Sequence, residues 1–459
     1  MAATTIAEDA VGSRNGDTDA AAPRLTVIGT GYLGATHAIC MAVLGFDVLG
    51  VEIDQSKVDR LNSGTVPFFE PGLPELLAKA LDSGRLRFTT SFAEAAEFGD
   101  VHFLCVGTPQ QQGSEAADLR YVDAAATELA RHLHRRTLVV GKSTVPVGTA
   151  ARLTELVQRI APAGDQVELA WNPEFLREGY AVDDTLRPDR LVFGVASAWA
   201  EEQLRAAFAP VIARDTPVVV TDLTTAELVK VAANSFLATK ISYINAMAEV
   251  CEATGGDVTG LAEALAYDDR IGGRFLKPGL GFGGGCLPKD IRAFAHRAEE
   301  LGVGQAVAFL REVDGINQRR RARTVDLVRE LAGGDLAGVR VTALGAAFKP
   351  NSDDIRDAPA LDVATTLHRL GAHVTVVDPA ATDNARRAFP ELSYGTDALS
   401  AAAGSDVVVL LTEWNEFRLI DPEAMGAVVG HRRIVDGRHA LDPVKWRTAG
   451  WEYRALGRP

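Results

Sequence analysis

The chain has 459 residues, 47% of them apolar and 24% charged, with 43 glycines and 20 prolines, which excludes a collagenous or wholly disordered polypeptide and predicts two or three domains. A formal charge of −14 argues against a phosphate-backbone binder, so no nucleic acid partner is expected, while a local cationic pocket for a small anionic ligand stays open. The four cysteines, Cys40, Cys105, Cys251 and Cys286, form no C-x-x-C pair. No disulfide framework or metal site is therefore expected, and the chain reads as cytoplasmic.

Taken in order, residues 1–22 carry Glu8, Asp9, Asp17 and Asp19 where a signal peptide would be apolar, and read as a disordered tail. No apolar run reaches the ~18 residues of a membrane-spanning helix. From Arg24 an apolar strand (LTVIG), a glycine turn, an apolar helix and a second strand (DVLGVEID) make one β-α-β unit. Strands at 101–107, 137–143, 167–173 and 191–195 alternate with helical stretches at 121–134 and 149–160, predicting a doubly wound domain over 23–216. Thr224-Thr225-Ala226-Glu227 has the capping-box form, and no glycine or proline follows until Gly255, so a helix of roughly 30 residues, ~45 Å long, opens a central segment at 217–325. Its apolar Leu237, Ile241 and Ile244 exceed what the flanking units need, which predicts a homodimer built on this helix. A second wound unit, within 326–459, starts at Gly338 with strands VRVTALG, HVTVVDP and DVVVLLT, a helix at 359–370 and a looser helical stretch after 381. The expected fold is α/β: two doubly wound, Rossmann-like parallel-sheet domains joined by a long central helix.

The turn Gly29-Thr30-Gly31-Tyr32-Leu33-Gly34 follows a strand and opens a helix, the setting in which amides and the helix dipole hold a pyrophosphate. Glu52, ending the second strand, suits the ribose hydroxyls and repels a 2′-phosphate, so NAD is expected over NADP; Asp54 is expected on the same strand face, and Lys57 beside the adenosine ribose. The second unit has Gly345-Ala346-Ala347-Phe348-Lys349 instead of a dinucleotide loop, and Lys349, Arg356 and Arg438 are candidates for an anion clamp there. For Arg356, among Asp353, Asp354 and Asp357, a surface ion-pair network is the alternative. Cys286 stands apart from the other cysteines, between a glycine loop and a helix start marked by Pro288, beside Lys289; this setting favours a thiolate, whereas a packing role in a tight loop is the alternative. Lys230 and Asn234, four apart, share one face of the long helix.

Several long segments, GTGYLG, PFFEPGL (67–73), VGTP (106–109), KSTVPVGT (142–149), WNPEFLREG (171–179), AELVKVAANSFLATKISYIN (226–245), RIGGRFLKPGLGFGGGCLPKD (270–290), AFKPNSDDIRDAP (347–359) and VDGR (435–438), resemble the UDP-glucose/GDP-mannose dehydrogenase family in order and spacing. The resemblance implies an NAD-binding first domain, a central dimerisation domain with the reactive cysteine, and a UDP-sugar-binding third domain. It implies Cys286 as nucleophile, with Lys230, Asn234, Asp290, Thr144 and Glu174 around the reacting carbon. Cofactor contacts are implied for Gly29, Gly31, Leu33, Gly34, Glu52, Lys57, Thr108, Thr144, Glu178, Lys289 and Arg356. Substrate contacts are implied for Glu174, Phe175, Leu176, Arg177, Glu178, Lys230, Asn234, the loop Phe275-Leu276-Lys277-Pro278-Gly279, Gly283, Phe348, Lys349 and Arg438, with Arg270 reaching a neighbouring subunit's site.

The activity so implied is oxidation of UDP-glucose to UDP-glucuronate with release of two NADH; the alternative is the same chemistry on GDP-mannose or UDP-N-acetylmannosamine. A cysteine nucleophile fits it, because a thiohemiacetal on Cys286 is a second alcohol-like hydride donor and gives a thioester that water opens. Two residues depart from the usual family pattern: Gly285 stands where many members have serine, and Ala246 where many have glutamate.

Overall fold

The computed structural model describes residues 22–458, so the tail expected over residues 1–22 lies outside the described residues except for Ala22. The first sheet has eight strands, β1 (Leu25–Ile28), β2 (Val48–Val51), β3 (Leu86–Thr89), β4 (Val101–Leu104), β5 (Thr137–Gly141), β6 (Val167–Trp171), β7 (Leu191–Gly194) and β8 (Val218–Thr221), in the order β3-β2-β1-β4-β5-β6-β7-β8. Strands β1, β2, β4 and β5 are buried at every position, which is why they read as unbroken apolar runs: helices cover both faces of a parallel sheet. Among the few polar residues in these strands, His102 has Nδ1 2.6 Å from Thr26 Oγ1 on the neighbouring strand. Strand β7 joins antiparallel to β6 through Trp171 and Gly194, and β8 pairs parallel with β7. The sheet thus runs to Thr221, five residues past the expected end of the wound domain. Not among the expected strands are β3, whose four residues alternate between buried and more exposed, and β8, which is partly exposed throughout.

The long helix spans Leu223–Thr254, 32 residues and about 48 Å at 1.5 Å per residue. Its start differs from the capping box read in the sequence. Thr224 lies inside the helix, Asp222 accepts from Thr225 N at 2.8 Å, and the Glu227 carboxylate accepts from Gly148 N and Ala150 N at 2.8 and 2.6 Å, closing the N-terminus of the helix Thr149–Ile160. A local motif lost here to a tertiary one because two amides of a neighbouring helix start lie within reach of a buried carboxylate. The chain divides into two compact units within the long helix, at Ala232 and Ala233.

In the second unit, the rest of that helix packs with the helices Leu287–Glu300 and Phe309–Leu331. Ile244 is fully buried beside Leu276, and Ile241 packs on the cluster of Phe282, Ile291 and Leu310, so these residues, expected on a free dimer face, belong to the unit's own core. On this part of the long helix the exposed large apolar residues are Phe236, Tyr243 and Val250, at intervals of seven. The six-stranded second sheet, all parallel, comprises β9 (Arg340–Leu344), β10 (His373–Val377), β11 (Ser393–Tyr394), β12 (Val407–Leu410), β13 (Arg433–Asp436) and β14 (Glu452–Ala455), in the order β11-β10-β9-β12-β13-β14. The two-residue β11 is too short for periodicity to reveal, and the four-residue β14, alternating exposed and buried, is not among the expected strands. No helix among the described residues is long and apolar enough to cross a membrane.

Candidate active site

In the first unit, β1 delivers Gly29 with φ +89° and the helix Tyr32–Val43 starts at Gly31 without a side-chain cap, leaving its first amides for a ligand. A Cβ on Gly34 would stand 1.8 Å from Gly29 O, so the turn closes only with glycine there. The buried Glu52 follows β2; its Oε1 accepts from Ile53 N (2.9 Å) and Asp54 N (3.3 Å), its Oε2 from Thr30 Oγ1 (3.1 Å), and Lys57 Nζ lies 3.8 Å away. Asp54 is not a strand residue beside it: the strand ends at Val51, and Asp54 caps the helix Gln55–Asn62 by accepting from Ser56 N. These residues fit a dinucleotide, with the open helix start for its pyrophosphate and Glu52 for a ribose.

At the carboxyl ends of β5 and β6 lies a polar group that an apolar interior makes costly unless paired. Lys142 Nζ, on a side chain 3% exposed, lies 3.0 Å from Glu174 Oε2 and donates to Asn172 Oδ1 at 2.8 Å. Glu174 Oε1 accepts from Phe175 N and Leu176 N at 2.8 and 3.1 Å. Burial pushes the Glu174 carboxyl up, but Lys142, those amides and Lys230 prevail and hold it below the usual carboxylate range. Phe175 has Lys230 Nζ 5.5 Å from its ring centroid and the Arg190 guanidinium at 4.0 Å. Thr108 Oγ1 donates to Thr144 O at 2.7 Å, holding these two expected cofactor residues together. Arg177, by contrast, turns its guanidinium to Asp184 (2.6 and 2.9 Å), and Glu178 is buried.

In the second unit Cys286 is exposed, and it occupies the N-cap position of the helix Leu287–Glu300, with Pro288 in its first turn. Asp290, in that turn, takes a hydrogen bond from Asn234 Nδ2 at 2.7 Å and pairs with Lys289 Nζ at 2.6 Å. Gly284 N donates to Arg356 O, and a Cβ on Gly285 would meet the Arg356 guanidinium carbon at 2.3 Å; glycine before the cysteine thus lets this arginine pack on the loop. Arg356 is also bidentate to Asp354, the ion pair weighed as the alternative for it. Gly283 lies against the Asp357 carbonyl. Arg438 donates from Nε to Leu411 O (2.7 Å) and from its terminal nitrogens to Gly281 O (2.8 Å) and Phe348 O (3.3 Å), which joins the glycine loop, Phe348 and the end of β13. Burial pushes the Arg438 guanidinium down. Lys349 Nζ lies 5.4 Å from the Phe348 ring centroid. Within Phe275–Gly279, Leu276 is buried, Phe275 and Lys277 are exposed, and Gly279 N donates to Asn245 Oδ1 at 2.9 Å. Arg270 stays at the surface, paired with Asp268.

The second sheet cannot repeat the dinucleotide site. Asp378, after β10, fills the amide cradle itself by accepting from Ala346 N (2.8 Å), Ala347 N (3.0 Å), Ala380 N (2.9 Å), Ala381 N (2.7 Å) and Trp414 Nε1 (3.0 Å). With five donors around it, its oxygens are saturated. Among the described residues no cluster of metal-ligating side chains occurs.

Three family models match the chain in sequence: the NAD binding domain of the UDP-glucose/GDP-mannose dehydrogenase family at residues 23–212, its central domain at 224–319 and its UDP binding domain at 342–443. The chain belongs to the UDP-glucose/GDP-mannose dehydrogenase family. It is 41% identical to a UDP-glucose 6-dehydrogenase of Rhizobium meliloti over 95% of this chain and 100% of the relative, and 41% identical to one of Pseudomonas aeruginosa over 95% and 98%. Among solved structures, a UDP-glucose dehydrogenase from Pyrobaculum islandicum superposes with a TM-score of 0.90 at 37% identity, covering 97% of this chain and 100% of that one. A UDP-D-ManNAc dehydrogenase from Pyrococcus horikoshii gives 0.83 at 27% identity, covering 95% and 99%.

As a member of this family the chain is an NAD-dependent dehydrogenase. Against that background three residues that the sequence reading passed over acquire a place. Lys142 follows the apolar β5 directly, and a lysine at the carboxyl end of a buried parallel strand, where α/β ligands bind, was the available signal. Asn245 holds the loop Phe275–Gly279, and Glu70, in PFFEPGL, accepts from Gly179 N and Ala181 N at 2.6 and 2.7 Å and from the Tyr32 hydroxyl. No local pattern marks either of these two.

Proposed function

We propose that this dehydrogenase oxidises UDP-glucose to UDP-glucuronate in two successive two-electron steps, with Cys286 as nucleophile. The exposed position of Cys286 at a helix start, unlike the three buried cysteines, carries the mechanistic part of this reading; the full-length relatives named UDP-glucose 6-dehydrogenase support the substrate. Bound NAD supplies the hydride acceptor for each step. The first oxidation turns the sugar's primary alcohol into an aldehyde. The Cys286 sulfur then adds to that carbonyl carbon, giving a thiohemiacetal, and loss of a second hydride leaves a thioester. Water attacks the thioester carbon, the C–S bond breaks to return the Cys286 thiol, and the sugar is released as the carboxylate. Lys230 and Asn234 suit the stabilisation of the oxyanions, and Asp290 and Glu174 the ordering of water.

The same reading assigns residues 23–216 to NAD, 217–325 to dimerisation and the cysteine loop, and 326–459 to the UDP-sugar. It places Lys349, Arg438 and the loop Phe275–Gly279 on the substrate, with the chain acting in the cytoplasm as a homodimer. The stripe Phe236, Tyr243 and Val250 supports self-association on the long helix. The deciding experiment is the ratio of NADH formed to sugar consumed across a panel of nucleotide sugars. Two per UDP-glucose is expected. A ratio of one, or a preference for GDP-mannose or UDP-N-acetylmannosamine, refutes the proposal in its stated form.

A further inference from the structure

We propose that Lys142 is a positioning residue of this reaction, a buried ammonium that fixes Glu174 as the carboxylate ordering water; the inference rests on the reading of Glu174 given above. Three donors define the carboxylate: Phe175 N and Leu176 N on Oε1, and Lys142 Nζ on Oε2 at 3.0 Å. The ammonium itself is anchored from behind. It donates to Asn172 Oδ1 at 2.8 Å, and its nitrogen lies 5.5 and 5.9 Å from the ring centroids of Phe208 and Phe103, where a cation meets the negative faces of aromatic rings. Asn172 is held in turn by donating from Nδ2 to Val192 O on β7, so the pair sits on the sheet and not on a mobile loop.

Other titratable groups face this pair from the helix Tyr32–Val43 and from the end of β4. On the helix Tyr32–Val43, burial and the Lys142 charge hold His37 well below the usual imidazole value, so it carries no charge at neutral pH, and burial pushes the Cys40 thiol up. Just after β4, burial pushes the Cys105 thiol up to about 12. Glu70 adds a negative contribution toward Cys40, and Lys230 a positive one toward Glu174. Lys142 is therefore the cation in direct contact with the carboxylate. A carboxylate so held stays charged through the working pH range and directs water by accepting its hydrogen bonds.

Removing the ammonium reverses the balance, because burial then acts on an unpaired carboxylate. In Lys142→Met and Lys142→Gln the low-pH fall of kcat should move up by about one pH unit or more. The displacement should disappear when Glu174→Gln is added to either variant. A readout independent of turnover is the pH dependence of unfolding. With the folded Glu174 value raised above its unfolded one, each single variant loses stability, relative to the unmodified protein, as pH rises from 5 to 8, whereas Lys142→Met/Glu174→Gln does not. A role confined to packing would lower stability by the same amount at every pH. Single variants whose kcat profile and unfolding profile both keep the unmodified shape overturn the proposal. If the unmodified protein forms no NADH from any nucleotide sugar, the functional reading falls first and this inference with it.

Discussion

Replacing Glu52 by alanine tests how the first unit selects its dinucleotide. Oε1 is occupied by the amides of Ile53 and Asp54, while Oε2 takes only the Thr30 hydroxyl at 3.1 Å and stands 3.8 Å from Lys57 Nζ, so one acceptor position on Oε2 remains for a ribose hydroxyl. A hydrogen bond to a charged group contributes about 1.5–3 kcal/mol, so Glu52→Ala should lower kcat/KM for NAD roughly 10- to 100-fold, mainly through KM. Against NADP the carboxylate acts by repulsion: a charge about 4 Å away at an effective dielectric of 20 costs about 4 kcal/mol per unit, and Lys57, partly exposed, offsets part of it. The unmodified protein should therefore prefer NAD by roughly a hundredfold to a thousandfold, and Glu52→Ala should shrink the preference to about tenfold or less. Initial rates with both dinucleotides at saturating sugar give the four kcat/KM values. Equal values for NAD and NADP in the unmodified protein would refute the argument, as would a ratio untouched by Glu52→Ala.

Cys286→Ala should abolish UDP-glucuronate formation, since without a sulfur adduct no second hydride donor forms; near-normal acid production, followed by chromatography, would make the cysteine structural. Glu227→Ala strands the part-buried amide of Gly148 and the buried amide of Ala150 and should lower unfolding stability by about 1–3 kcal/mol, read by urea titration. Burial lowers His102 to about 3, so the unfolded chain binds a proton that the folded one refuses, and stability falls as pH drops below the ordinary 6.5; the slope is at most about 1.4 kcal/mol per pH unit, and His102→Leu should remove that share. Light scattering should show a dimer that Phe236→Glu with Tyr243→Glu converts to monomer, and a dimer unaffected by that pair would place the interface elsewhere.

In Glu174 and Asp290 the structure presents two carboxylates, each held by a lysine and by N–H donors but with partners from different parts of the chain. Glu174 is bonded by amides of its own following residues and by a lysine from a neighbouring strand, whereas Asp290 is bonded by Asn234 of the long helix and by the adjacent Lys289. A single-site change at Lys142 or at Asn234 therefore perturbs one carboxylate and spares the local bonds of the other.

What the sequence by itself determined was whatever is repeated locally. Apolar runs such as LTVI and VVVL mark strands covered on both faces, the glycine spacing at 29–34 marks a dinucleotide turn, and the uninterrupted stretch before Gly255 marks the long helix. The setting of Cys286 at a helix start was legible for the same reason, since Pro288 and the preceding glycines are its chain neighbours. Tertiary structure decided everything that depends on a distant partner. Glu227 follows the capping-box pattern yet serves another helix, Ile244 looks like a free face yet lies in a core, and Asp378 follows β10 directly, as Glu52 follows β2, yet fills its own loop. Lys142 looks like any strand-end lysine until Asn172 and Glu174 converge on it from the next strand. Periodicity reports which face of an element is apolar; which partner satisfies a buried charge depends on contacts closed across 30 residues or more, and only the folded chain supplies those.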